Sequence, residues 1–393
     1  MKARSFPSVR SIIERLNPSY PVFIVWPEVL REKARLFIDH FPGDVLYAGK
    51  CNPHPFVLST LHEAGIHSFD TASLPEIAAV RERFPEAHCY FNHPVKGRGA
   101  IDSAVDVYGI TDFVIDHESE LYKVEEYAGT DITVEVRFAT DGKGAVYNLS
   151  SKFGAPPEEA VRLLKLVHER GMRAALTCHV GSQCLEIEAY RSALALARNI
   201  MDKADVPLAY FDIGGGFPAA YAGAHVDLKA MLGDIRTTVK ELGINVPLLC
   251  EPGRALVADG CSLLLQVHQR KGDALYVNEG VYGCLSEVNI GNFVMPARVF
   301  GRKGRALSGE PKAFRVFGPT CDSLDVMDGP FLVPDDIEEG DWIEVGLMGA
   351  YSLALATGFN GFMTDTVVSV EGRPHWLEEA MPLAEAEAEA LSA

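Results

Sequence analysis

A lysine at the end of an apolar run, a triple glycine after a second run and a Glu-Pro-Gly-Arg turn after a third are the groups best suited to chemistry in this chain. The run Val45-Leu46-Tyr47-Ala48-Gly49 ends in Lys50. An amine in partly desolvated surroundings gives up its proton more readily than a solvated one, which favours Schiff-base formation with an aldehyde. Gly214-Gly215-Gly216 follows Tyr210-Phe211-Asp212-Ile213 and offers backbone N–H groups with no side chain in the way, as a phosphate requires. Glu251-Pro252-Gly253-Arg254 sets a carboxylate able to pair with a protonated pyridine nitrogen beside a guanidinium able to grip a phosphate at two points. His179 could stack on a flat ring while Ser182 donates to a phosphate. Cys321-Asp322, after Gly318-Pro319-Thr320, puts a proton donor next to an acceptor for a cation. Taken singly, each has a plainer reading: a solvated strand-end lysine, a glycine turn, a surface ion pair, a core histidine, a structural cysteine.

The elements that must position these groups are legible from period and punctuation. Eight short runs rich in β-branched or aromatic residues read as strands: Val45–Lys50, His67–Asp70, Cys89–His93, Phe113–Asp116, Ile132–Phe138, Ala174–Gly181, Ala209–Gly214 and Pro247–Glu251. Helical patterns separate them. Between the fifth and sixth runs, Pro156-Pro157-Glu158-Glu159 opens a helix, Leu163, Leu164 and Val167 form its apolar face, and Gly171 ends it. Eight strand–helix units predict an α/β fold, a closed TIM-type barrel whose active site lies at the C-terminal strand ends. Those ends carry Lys50, Asp70, Asn92, Asp116, Arg137, His179, the triple glycine and Glu251. From about Ala258 the texture becomes short alternating segments such as Ala274–Asn278, Ala313–Phe317 and Trp342–Val345, which predict a second, mainly antiparallel β domain. The expected organisation is residues 1–26 as a segment joining the β domain through Pro21–Val25, 27–257 as the barrel, 258–380 as the β domain and 381–393 as a frayed acidic tail.

Composition narrows the partners. The net charge of −18 over 393 residues argues against nucleic acid, whose phosphates need concentrated Lys and Arg. No stretch approaches the ~18 uncharged apolar residues of a membrane span, and Met1–Arg10 lacks the apolar centre of a signal peptide. A soluble, cytoplasmic protein is therefore expected. Its 8 cysteines form no CxxC pair, so reduced thiols are expected, and neither His179 nor Cys184 has partners at metal-ligand spacing, so no metal site is.

Taken in order, Tyr47-Ala48-Gly49-Lys50-Cys51-Asn52, Phe69-Asp70-Thr71-Ala72-Ser73, His179-Val180-Gly181-Ser182, Asp212-Ile213-Gly214-Gly215-Gly216-Phe217, Glu251-Pro252-Gly253-Arg254, Gly280-Val281-Tyr282-Gly283, Gly318-Pro319-Thr320-Cys321-Asp322 and Ala350-Tyr351 resemble the fold-type III, pyridoxal-phosphate-dependent amino acid decarboxylases. This is the ornithine/diaminopimelate/arginine decarboxylase family, with an alanine racemase-like barrel, and the likeness runs from about Val22 to Phe362. The resemblance implies that Lys50 carries pyridoxal 5'-phosphate, that His179 stacks on its ring and that Glu251 keeps the ring nitrogen protonated. It implies that Gly215, Gly216, Ser182, Arg254 and Tyr351 hold the phosphate, and that Asp70 and Arg137 line the cofactor's face. It implies further that Cys321 reprotonates Cα and that Cys321 and Asp322 reach into a partner subunit, so that a homodimer shares two composite sites.

For the substrate, the aspartate after Cys321 resembles the ornithine/lysine branch, where it binds the distal ammonium. Tyr282 and Glu287 are the other expected substrate contacts. The branch carries a second acid eleven residues after the first glycine of its GVYG motif, and here that residue is Gly291. L-ornithine or L-lysine, giving putrescine or cadaverine, is the first expectation. A modified or condensed amino acid of specialised metabolism, or meso-diaminopimelate, is the alternative that Gly291 leaves open. A non-catalytic homologue and an amino acid racemase fit less well, because Lys50, His179, Glu251 and Cys321 are intact and the Cys321-Asp322 pair suits a racemase poorly.

Overall fold

A computed structural model describes residues 4–142, 144–147, 152–221 and 226–378. The expected tail, 381–393, lies outside the described residues. Eight parallel strands close into a barrel: Asp44–Ala48, Ser68–Thr71, His88–Phe91, Asp112–Ile115, Thr133–Arg137, Arg173–Thr177, Leu208–Asp212 and Leu248–Cys250. The eighth pairs with the first through Leu249–Asp44 and Cys250–Val45, which closes the ring. Each expected strand is present, but several stop short of their polar residues. The first ends at Ala48, and Lys50 sits in a 3-10 turn over Gly49–Cys51. The sixth ends at Thr177, leaving His179 in the loop beyond. A residue that turns inward over the barrel mouth has left the pleat and cannot continue the ladder.

The helices form where pattern and caps agree. Pro157–Glu169 starts with proline in its first turn and with Glu158 and Glu159 at the positive end of its dipole, and it buries Ala160, Leu163, Leu164 and Val167. Gly171 follows with φ of +81°, a conformation that favours glycine. Inside the barrel, Leu46, Tyr90, Ala175, Tyr210 and Leu249 make a small apolar core separate from the layer between strands and helices.

The second unit is a nine-stranded sheet built around the long strand Cys261–Lys271. That strand runs antiparallel to Ala274–Val277, Trp342–Val345 and Val22–Val25. Val22–Val25 in turn pairs parallel with Thr366–Val370, which pairs parallel with Arg4–Phe6, so the N-terminal segment is woven into this sheet. Two tryptophans fasten the weave: Trp342 Nε1 donates to the Pro18 carbonyl at 2.9 Å, and Trp26 Nε1 donates to Ser262 Oγ at 3.2 Å.

Ser262 Oγ donates onward to Glu344 Oε1 at 2.9 Å. Glu344 is 1% exposed, and burial pushes its carboxyl from 4.5 up to about 7, against the smaller opposing pulls of Ser262 and Arg298. Between those two values the folded chain binds a proton that the unfolded chain has released, so stability falls as pH rises from 4.5 to about 7 and the loss is complete above it. Glu344→Gln is expected to stabilise the fold at pH 8 by on the order of 3 kcal/mol and to change little at acid pH. Urea unfolding across pH tests this, and identical pH dependence in the two proteins would refute it.

Candidate active site

Lys50 and Asp70 meet because adjacent barrel strands end side by side, Ala48 opposite Asp70. Lys50 Nζ lies 2.5 Å from Asp70 Oδ2; the aspartate is 1% exposed, whereas the lysine side chain keeps 38% of its surface open to the cavity. Burial alone would make this amine lose its proton easily, as the sequence suggested. The structure corrects that expectation: the carboxylates of Asp70 and Glu251 outweigh burial and hold Lys50 more basic than an ordinary lysine. Placing a neutral amine here therefore requires the charge on those acids to be met by another cation.

Glu251 follows the eighth strand, and its N–H donates to the Gly214 carbonyl at 2.9 Å, which ties it to the triple glycine. Asn92 Nδ2 donates to its Oε1 at 2.5 Å. Burial, and then Asp70, push this carboxyl up to about 7, against Lys50, Asn92 and Arg137, so it is poised between its two forms near neutrality. His179 is neutral, driven well below its usual value by burial and by the neighbouring Arg137 and Lys50. Its Nδ1 accepts from the Gly181 N–H at 3.0 Å, which leaves the ring proton on Nε2.

The glycines are required by contact. A Cβ on Gly214, whose φ is +74°, would lie 2.0 Å from the Cys178 carbonyl oxygen, and one on Gly216, with φ of +102°, would lie 2.4 Å from that of Gly181. A Cβ on Gly215 would lie 3.0 Å from His179 Nε2. The carbonyls are turned away from the cavity: Gly215 O accepts from Tyr190 Oη at 3.1 Å and Gly216 O from the Cys184 N–H at 2.9 Å. Ser182, Arg254 and Tyr351 line the same cavity as Lys50, His179 and Glu251. Arg137 stands beside it with its guanidinium 5.6 Å from the Phe153 ring. Arg254 is 4% exposed, and its Nε is buried with no partner among the described residues. Tyr351 holds φ of +53°, and its N–H donates to the Cys51 carbonyl at 2.9 Å, so a β-domain tyrosine is locked against the lysine turn. An amine, a side-chain-free glycine cradle and a buried unpartnered guanidinium N–H fit an aldehyde cofactor that carries a phosphate.

Two of the expected substrate contacts, Tyr282 and Asp322, and the expected acid Cys321 lie elsewhere. Tyr282, Cys321 and Asp322 do not line the Lys50 cavity. Tyr282 Oη donates to Asp322 Oδ2 at 2.6 Å, the Leu324 N–H donates to Oδ1 at 3.0 Å, and the carboxyl is held below its usual range, so Asp322 is ionised. Cys321 is exposed, its Sγ 3.3 Å from Asn360 Oδ1. The third expected substrate contact, Glu287, is buried against Arg254, with Oε2 2.7 Å from Arg254 Nη1 and Oε1 3.3 Å from Tyr147 Oη. A buried carboxylate pairs with the nearest buried guanidinium.

Glu135, at the centre of the fifth strand, was not anticipated. Tyr210 Oη stands 2.9 Å from both Glu135 Oε1 and Asp112 Oδ1, and His88 Nε2 lies 2.9 Å from Asp112 Oδ2. One hydroxyl proton serves one acceptor, so one of the two carboxyls is itself protonated. Burial and then Glu251 push Glu135 well up, while hydrogen bonds from His88, Thr111 and Tyr210 outweigh burial at Asp112. Glu135 is therefore the neutral acid. The signal in the sequence was a glutamate in the apolar run Thr133-Val134-Glu135-Val136.

Residues 28–258 match the model of the pyridoxal-dependent decarboxylases, pyridoxal binding domain. The chain belongs to this family. It is 34% identical to the lysine/ornithine decarboxylase of Selenomonas ruminantium over 380 residues, 94% of this chain and 93% of that one. Among solved structures it resembles the lysine/ornithine decarboxylase of Vibrio vulnificus complexed with cadaverine, at 29% identity, with a TM-score of 0.80 and coverage of 93% of this chain and 100% of that one. It also resembles the arginine decarboxylase of Paramecium bursaria Chlorella virus, at 26% identity, a TM-score of 0.84 and coverage of 92% and 99%. The enzyme is an amino acid decarboxylase and its cofactor is pyridoxal phosphate. For such an enzyme Gly214→Ala is expected to weaken cofactor binding at least tenfold, since it adds both a strained φ and a carbonyl clash. Titration of the cofactor-free variant by absorbance checks it, and an unchanged Kd would show that the cradle yields.

Proposed function

We propose that this enzyme decarboxylates L-ornithine or L-lysine, releasing carbon dioxide and a diamine. The carrying observation is Asp322, an ionised carboxylate pinned by Tyr282 and the Leu324 N–H on an exposed turn, where it can accept a distal ammonium. The lysine/ornithine names of similar enzymes support this class, as does a cadaverine complex among them. The alternative of a larger substrate draws on Gly291. A Cβ there would lie 2.3 Å from the Phe293 ring, so the missing acid leaves a packed aromatic in its place, which favours the simple diamino acids.

When bound, pyridoxal phosphate supplies the electron sink for the carbanion left by carbon dioxide. The chain's residues do the rest. Lys50 anchors the aldehyde carbon, and the charge on Asp70 that now holds its amine is then free to face another cation. Glu251, poised near neutrality, holds a proton at the ring nitrogen, while the neutral His179 stacks without adding a competing charge. Arg137 lines the reacting face. Arg254, Ser182, Tyr351 and the N–H groups of Gly215 and Gly216 bind the phosphate and fix the scissile bond's orientation. Cys321 delivers the proton that Cα needs.

Cys321 and Asp322 act, on this reading, in the site of a second copy of the chain. Beside exposed Cys321, the apolar side chains Leu324, Phe359, Phe362 and Met363 are 70, 42, 41 and 64% exposed, a patch suited to burial between two copies. The barrel unit, 27–257, then holds the cofactor and the β unit, 258–380, completes the partner's site. A cytoplasmic setting suits seven buried free thiols and an exposed eighth that must stay reduced to serve as an acid.

Two experiments test this. Cofactor-loaded protein should form putrescine from L-ornithine or cadaverine from L-lysine, and Asp322→Asn should lower kcat/KM for them by about 10- to 100-fold. Loaded protein that releases neither amine would refute the substrate assignment. Mixing Lys50→Ala with Cys321→Ala should restore part of the activity through hybrid dimers; no recovery despite proven subunit exchange would sink the shared site.

A further inference from the structure

A carboxylate beside a phosphate site is electrostatically odd, because it repels the ligand that the site must hold. Glu287 nevertheless lies there, 5% exposed in the short helix Ser286–Ile290, with Oε2 2.7 Å from Arg254 Nη1. The same Nη1 donates to Tyr221 Oη at 2.7 Å. The Tyr351 and Phe293 rings lie 4.9 and 5.1 Å from the guanidinium carbon, and Phe293 is itself stacked on Tyr221 with centroids 4.0 Å apart. One nitrogen of Arg254 is thus clamped, and aromatic rings restrict the swing of its plane. Nε, buried and without a partner among the described residues, remains for an incoming acceptor. An arginine otherwise gives up rotamer freedom on being fixed, and here that loss is met before the ligand arrives.

We infer that Glu287 is a positioning residue for the cofactor's phosphate: through Arg254 Nη1 it aims the Nε edge of the guanidinium at the phosphate, and it makes no contact with the substrate's distal ammonium. The inference rests on the proposed role of Arg254 as a phosphate ligand. Because the Arg254–Glu287 pair is neutral as a unit, the site gains its affinity from a donor held in place and from the Gly215 and Gly216 amides more than from net positive charge.

The test compares pyridoxal phosphate with pyridoxal, which lacks the phosphate, as ligands for the full-length cofactor-free protein. Glu287→Ala should raise the Kd for pyridoxal phosphate by about 10- to 100-fold, the range seen when a residue that orients a metal ligand is removed, and leave that for pyridoxal unchanged. Glu287→Gln, whose amide oxygen can still accept from Nη1, should show a smaller loss with the same selectivity, and it decides the matter if the alanine variant does not fold. Tighter binding of pyridoxal phosphate in either variant would mean that the carboxylate simply opposes the phosphate. Equal weakening of both ligands would reduce Glu287 to packing, and a raised KM for the diamino acid at unchanged cofactor affinity would return it to the substrate site. Each of these overturns the inference. Arg254→Ala run in parallel separates the layers: if it too weakens both ligands equally, the failure lies in the assignment of Arg254, not of Glu287.

Discussion

The pairing of Lys50 with Asp70 is the contact on which the site's charge balance hangs. Asp70 is all but fully buried, and a carboxylate so placed needs a cation or a proton. Below and beside it stand Glu251, Glu135 and Asp212, the last two fully buried and each with one oxygen lacking a partner among the described residues. Lys50 and Arg137 are the cations felt by this cluster, and two positive charges do not neutralise four acids. The structure meets the excess with protons. Burial pushes Glu135 and Asp212 well up, and Tyr210 relays the donor from Glu135 to Asp112. The axis of the barrel is therefore a hydrogen-bonded network of mixed protonation, and Glu251, near 7, is the member closest to changing state at neutral pH.

The cavity that uses this charge is a junction between the two units. The β unit reaches over the barrel mouth at three places: the Tyr351 N–H bonds to the Cys51 carbonyl, Asn52 Nδ2 donates to the Gly349 carbonyl at 2.9 Å, and Glu287 clamps Arg254. Tyr351 adopts a left-handed conformation that its side chain disfavours, a cost sustained by the surrounding contacts. A barrel alone would leave the lysine turn and the arginine each with one side open. This explains why sequence features of the site extend so far beyond the eighth strand.

What could be read from the sequence was whatever depends on period and on local chemistry. Eight apolar runs announced eight strands, because a strand buried on both faces must be apolar along its length. The helix at Pro157–Glu169 was legible from proline, glutamates and a spacing of three and four. The glycines, Glu251 and Arg254 were legible because their neighbours in sequence are also their neighbours in space. Long-range charge was not. The rise in Lys50 basicity depends on Asp70, twenty residues away, and on Glu251, two hundred and one away, so local apolar context pointed in the wrong direction. The contact of Glu287 with Arg254 joins residues 33 positions apart and is seen only in the fold. The pairing of Tyr210 with Glu135 likewise joins residues 75 positions apart.

The proposed substrate site carries a physical consequence for selectivity. If Asp322 is the sole carboxylate for the distal ammonium, its hold is a single charge-assisted contact on an exposed turn, pinned by one tyrosine and one backbone N–H. A single contact of this kind gives less discrimination than a two-point grip, even within the enclosure that a second copy would provide. Ornithine and lysine differ by one methylene, which a well-shaped apolar pocket distinguishes by about 1–3 kcal/mol. A single carboxylate leaves the ammonium more latitude than two set at a fixed separation, so the difference here should fall toward the lower end of that range. Phe293 fills the space beside Gly291 and withholds a second anchor that would set the distance. The geometry thus favours acceptance of both diamino acids over strict choice of one.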